Sequence, residues 1–67
     1  MSILRNSVQQ YRNNYKITQE ELAHAIGVTR QTIIAIEKGN YTPSVLLALK
    51  IASYFKTRVD KLFTIHS

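Results

Sequence analysis

The chain has 67 residues and no cysteine, which limits it to one domain and leaves out a disulfide framework or a thiolate metal site. A chain of this length buries only about 60% of its unfolded surface, so the fold has to be well idealised or completed by a partner. Nine Lys and Arg against four Asp and Glu give a net charge of +5, which favours a polyanionic partner.

Leu4, Val8, Tyr11 and Tyr15 recur about one helical turn apart, so a first helix is expected over residues 6–14. Residues 2–5 read either as a ragged start to that helix or as an extended arm. Asn13 and Asn14 tolerate turn conformations and mark a break. Ile17 stands where a hydrophobic staple packs back toward Leu22. Thr18 with Glu21 makes a capping box, because the hydroxyl and the carboxylate three residues on satisfy each other's orphan backbone donors. Leu22, Ala23 and Ile26 then share one helical face, and Gly27 ends the helix in a left-handed conformation. Thr29 caps the next helix, over residues 29–38, with Ile33 and Ile36 inward and Gly39 closing it.

Residues 40–44 hold the only proline and read as a loop, and Ser44 caps a fourth helix over residues 45–55. On that helix Val45, Ala48, Leu49, Ala52 and Phe55 form one apolar face, with Leu46, Leu47, Ile51 and Tyr54 in addition. A helix apolar nearly all round should be the central core helix, with area left over for a second subunit. Val59, Leu62 and Phe63 fit a last short helix over residues 58–63. Thr64 and Ile65 have strand propensity, as does Ile3, which admits pairing of the termini as a short β-ribbon. The start of the chain lacks the apolar centre of a signal peptide. The longest apolar run, residues 45–49, is far short of the ~20 residues that cross a bilayer. A soluble cytoplasmic domain is expected.

The two central helices, joined by a tight turn and with small Ala23 one turn before Gly27, match the helix-turn-helix pattern. In that pattern the second helix projects and can enter a DNA major groove. Arg30, Gln31, Ile34, Ala35 and Lys38 lie about half a turn from Ile33 and Ile36 and point outward. Arg30 can grip guanine O6 and N7 with two donors, Gln31 can pair with adenine N6 and N7, and Ile34 and Ala35 can meet thymine methyls. Gln19, first in its helix, suits a phosphate, since free N–H groups gather there. Asn40, Tyr41 and Thr42 in the following loop are further phosphate donors, and Thr29 and Lys38 complete the expected set. Thr32 either reaches a phosphate or bonds a carbonyl of its own helix. Glu20 and His24 have a metal-ligand spacing but no third ligand, and no nucleophile, base and orienter occur together. No metal, cofactor or catalytic site is expected, and the chain does not read as an enzyme.

Residues 17–33, followed by residues 36–44, resemble the Cro/C1-type helix-turn-helix family, also called the Xre family, and its small single-domain bacterial and phage regulators most. The similarity continues through residues 47–52 and 59–63, so it covers about residues 6–63, and Gln19, Ala23, Gly27, Ile33 and Ile36 match the family's motif. The resemblance implies an all-α, compact five-helix, lambda-repressor-like domain. It also implies homodimers on palindromic operators in double-stranded DNA, and transcriptional control; repression by occupying promoter DNA is the expected mode, with activation through polymerase contact as the alternative. It carries Gln19 to a phosphate, and Arg30, Gln31 and Ile34 to the bases. It pairs Arg12 with Glu37 as a partly buried ion pair, which spacing alone does not show. Lys16 and Lys56 stand where relatives often have glycine at a helix end, a conformation that costs a lysine about 1 kcal/mol. Arg58 replaces the usual Ser or Thr cap of the last helix. Leu46, commonly polar in relatives, reads as a dimer-contact residue. A reading from another class is a protein-interaction module, an antitoxin or accessory subunit that covers a partner with the apolar excess of the fourth helix.

Overall fold

Side chains open the three central helices of the computed structural model, which describes residues 3–66. The Thr18 hydroxyl accepts the Glu21 N–H at 3.0 Å while the Glu21 carboxylate accepts the Thr18 N–H at 2.7 Å, and α2 (Gln19–Ile26) starts there. Thr29 opens α3 (Arg30–Glu37), and Ser44 opens α4 (Val45–Tyr54) by accepting the Leu47 N–H at 3.1 Å. Such caps satisfy amides that the first helical turn leaves without partners. Before them stand β1 (Ile3–Asn6) and α1 (Val8–Asn14); after them α5 (Val59–Leu62) and β2 (Phe63–His66).

Four helices end in one way. The residue after the last turn adopts a left-handed backbone, its N–H and the next one turning back onto the helix: Ile17 N–H to Arg12 O, Val28 to Ala23, Asn40 to Ala35 and Thr57 to Ala52. Glycine fills the left-handed position after α2 and α3, with φ 79° at both Gly27 and Gly39. Lysine fills it after α1 and α4, Lys16 with φ 58° and Lys56 with φ 54°.

The terminal strands pair antiparallel, with Leu4 opposite Ile65 and Asn6 opposite Phe63. The ribbon shortens the first helix. Asn6 belongs to β1, its side-chain oxygen takes the Val8 N–H at 3.2 Å, and the Ser7 N–H donates to Leu62 O at 2.9 Å. α1 therefore begins at Val8 rather than residue 6, and Leu4 lies on a strand instead of sharing a helical face with Val8. The last helix stops at Leu62 because Phe63 is already extended. Arg58 makes no side-chain cap to it. Of the two chain ends, residues 1, 2 and 67 lie outside the described residues.

The core gathers Val8, Leu22, Ala23, Ile26, Ile33, Ile36, Leu47, Ile51, Ala52, Phe55 and Leu62, with Ile17 packed against it from the start of α2. Phe55 is the hub of its aromatic side, with the rings of Tyr11, Tyr15 and Tyr54 centred 5.7, 5.1 and 5.2 Å away. Tyr15 also donates its hydroxyl to Phe55 O at 2.8 Å, and the Tyr11 and Thr57 hydroxyls are bonded at 3.1 Å. α4 corrects the expected face. Leu47, Ile51, Ala52 and Phe55 point inward, whereas Val45, Leu46 and Leu49 are 77%, 64% and 50% exposed. The helix carries two apolar stripes, and packing against α2 selects the one that turns in.

Candidate nucleic-acid interface

The geometry of the candidate interface begins at the turn between α2 and α3. Val28 N–H closes onto Ala23 O at 2.9 Å, and the buried Ala23 lets the two helices approach. Ile33 and Ile36 are fully buried, so α3 is held by one face. Its first turn then presents Arg30 and Gln31 to solvent, with neither side chain bonded to another part of the described chain. Lys38, Asn40, Tyr41 and Thr42 are exposed beyond the far end of the helix. The Asn40 backbone N–H is used in closing α3, which leaves its side chain for any ligand.

Other expected positions differ. Ile34 and Ala35 are half-buried rather than fully outward. An eight-residue helix packed against both α1 and α2 leaves only a narrow outward stripe. The hydroxyl of Thr32 is not bonded to a carbonyl of its own helix but to the Thr29 hydroxyl at 3.2 Å, in an exposed hydrogen bond. The Thr29 hydroxyl in turn accepts the Thr32 N–H at 3.4 Å, so the two threonines form a closed cap. The Gln19 amide is half-buried and already donates one N–H to Glu37 Oε1 at 3.0 Å, leaving one donor and its carbonyl oxygen for other partners.

Glu37 is the anchor beneath this surface. Arg12 donates from Nε to Oε2 at 2.8 Å and from its terminal nitrogen to Oε1 at 3.2 Å, and its other terminal nitrogen reaches Ile17 O at 3.0 Å. The two side chains are 11% and 5% exposed. The hydrogen bond with Glu37 raises the Arg12 pKa above its ordinary value, burial opposes that rise, and attraction to the carboxylate charge adds to it. One carboxylate thus ties α1, the start of α2 and the end of α3 together, and fixes the angle at which α3 leaves the body. No buried side-chain nitrogen or oxygen among the described residues lacks a partner.

Asn6 escaped the sequence reading. Its amide donates to Ile36 O at 2.9 Å and so pins β1 to the end of α3. The residue type before a helix start was the only local signal; a partner thirty positions away leaves none. Among the described residues no three His, Cys, Asp or Glu side chains come together as a metal site, and no helix is long and apolar enough to cross a membrane.

A family model described as helix-turn-helix matches residues 8–62. The chain belongs to the Cro/C1-type helix-turn-helix family. It is 50% identical over 60 residues to an uncharacterised helix-turn-helix-type transcriptional regulator of Methanocaldococcus jannaschii, covering 90% of this chain and 91% of that one. It is 47% identical over 60 residues to the uncharacterised regulator YgzD of Bacillus subtilis, with the same coverage of 90% and 91%. In fold it is similar to the restriction-modification controller protein C.AhdI from Aeromonas hydrophila, with a TM-score of 0.74, 24% identity, and 81% and 78% of the two chains covered. A proposed DNA-binding protein from Bacteroides fragilis superimposes with a TM-score of 0.83 at 19% identity, over 92% of this chain and 100% of that one. Cro/C1-type proteins are DNA-binding transcriptional regulators and not enzymes.

Proposed function

We propose that this chain is a sequence-specific repressor that binds a palindromic operator as a homodimer, with α3 in the major groove. The observation that carries the reading is the pairing of a fully buried Ile33 and Ile36 with an exposed Arg30 and Gln31 one step round the same helix. Arg30 and Gln31 read bases; Lys38, Asn40, Tyr41, Thr42, the remaining Gln19 donor and the Thr29–Thr32 hydroxyl pair hold phosphates; Ile34 and Ala35 offer their outer edges to thymine methyls. The protein acts in the cytoplasm and represses by occupying promoter DNA.

An apolar groove supports the homodimer. Leu4, Pro43, Val45, Ala48, Leu49 and Phe63 line it together with Val59, and almost no polar surface interrupts them. On an operator, a two-fold dimer has to set its two α3 helices about 34 Å apart, one turn of B-DNA. The same groove favours a second reading, a module that covers a different protein.

Selection of bound sequences from a random duplex pool at stated salt tests the proposal. A palindrome is expected. Arg30→Ala should cost about 1–3 kcal/mol of affinity and relax the preference at one position. A pool that stays random, or an Arg30→Ala protein that selects the same site with unchanged affinity, would refute the groove assignment; protein partners insensitive to Arg30 and Gln31 would favour the module.

A further inference from the structure

We propose that Lys16 is a DNA-phosphate contact, kept at a left-handed helix end for the sake of its ammonium group. The inference rests on the DNA-binding reading of the α2–α3 face and adds a residue to it.

Of the four helix ends built alike, two use glycine, the residue that adopts positive φ without steric cost. Lys16 holds φ 58° in an exposed position where no core packing calls for a side chain. Glycine there would meet the backbone requirement better. What lysine supplies is a cation, and its place makes that useful. Lys16 lines one shallow groove with Arg12, Ile17, Thr18, Gln19, Glu20 and Arg30. The groove therefore joins the start of α2 to the first turn of α3, the side chain expected to read a base being on its far wall.

The charges of the groove leave Lys16 available. Arg12 is committed to Glu37, and the other ion pair among the described residues is Arg58 with Asp60, which is not in the groove. Glu20 offers the one opposing carboxylate on the lining and is not paired with Lys16. With Arg12 and Glu37 cancelling, Lys16 and Arg30 outweigh Glu20 by one positive charge. A duplex that places base edges against Arg30 carries its sugar-phosphate backbone along the groove wall. A lysine there neutralises a phosphate as a point charge, independent of sequence.

Lys56 is the internal control. It has the same strained backbone, φ 54°, but it ends α4 and does not line this groove. The test is a salt series of anisotropy titrations with a double-stranded oligonucleotide of arbitrary sequence, alongside thermal melts, on the full chain and on K16Q, K16G and K56G. K16Q removes the charge and keeps the strain; K16G removes both. The exponent of affinity against salt should fall by about 0.9 per bound chain in K16Q and K16G alike. K16G and K56G should each melt about 4 °C higher than the unsubstituted chain, with K56G keeping the full exponent. An unchanged exponent in K16Q overturns the role of Lys16 while leaving the DNA face intact. Absence of salt-dependent duplex binding by the unsubstituted chain refutes that face and the role of Lys16 together.

Discussion

Replacing Glu37 by alanine removes three hydrogen bonds at once: two from Arg12, at 2.8 and 3.2 Å, and one from Gln19 at 3.0 Å. It also leaves a guanidinium that is 11% exposed with Ile17 O as its remaining protein partner. Removing one member of a buried pair costs about 3–5 kcal/mol, mostly because the other charge stays behind uncompensated. The pair sits at the rim of the core, where water can reach the arginine, so about 3 kcal/mol is the figure to expect. A 67-residue domain has a total stability of about 3–10 kcal/mol at typical values per residue, so a third or more of it would be lost. At about 4–8 °C per kcal/mol in a domain this small, the midpoint should fall by about 12–24 °C. Circular dichroism melts with urea titrations measure both quantities. A fall of less than about 4 °C would refute the anchoring role. Converting both partners to apolar residues, Arg12→Met with Glu37→Leu, should recover much of the loss, since the penalty belongs to the unpaired charge and not to the missing bridge. Alkali should not mimic the substitution. Arg12 has its pKa raised in the fold, so its contribution is complete below its unfolded pKa, and it persists as pH climbs from neutrality to mildly basic values.

Two further substitutions probe other parts of the fold. Leu49→Glu places a charge on the wall of the apolar groove on a side chain that is half exposed, so the helical spectrum should survive while the proposed dimer separates into 7.7 kDa chains. Sedimentation equilibrium reads the mass, and a Leu49→Glu protein that remains dimeric would move the interface elsewhere. Asn6→Ala deletes the bond to Ile36 O and the one from Val8 N–H; because Ile36 O keeps its bond from Gly39 N–H, the cost should be about 1–2 kcal/mol in urea unfolding. A change below about 0.5 kcal/mol would show that the ribbon is not tied to α3 through this side chain.

Local rules account for the parts of this protein that were legible in advance. A cap needs a hydroxyl, an amide and a residue three places on, all within one turn, so Thr18 with Glu21, Thr29 and Ser44 announced three helix starts. Left-handed ends are equally local where glycine marks them, which is why Gly27 and Gly39 were identifiable as stops, whereas Lys16 and Lys56 carry no such mark and only the family resemblance pointed to them. The buried Ile33 and Ile36 followed from a period of 3.6, and with them the exposure of Arg30 and Gln31. Helix period carries no such information when nearly every residue is apolar. On α4 it pointed to a face with Val45 and Leu49, but packing buried Leu47 and Ile51 and left Val45 and Leu49 to solvent. Nor does it reach across the chain. The turning of Gln19 toward Glu37 and the grip of Asn6 on Ile36 join residues 18 and 30 positions apart, and such partners exist only once the helices have packed.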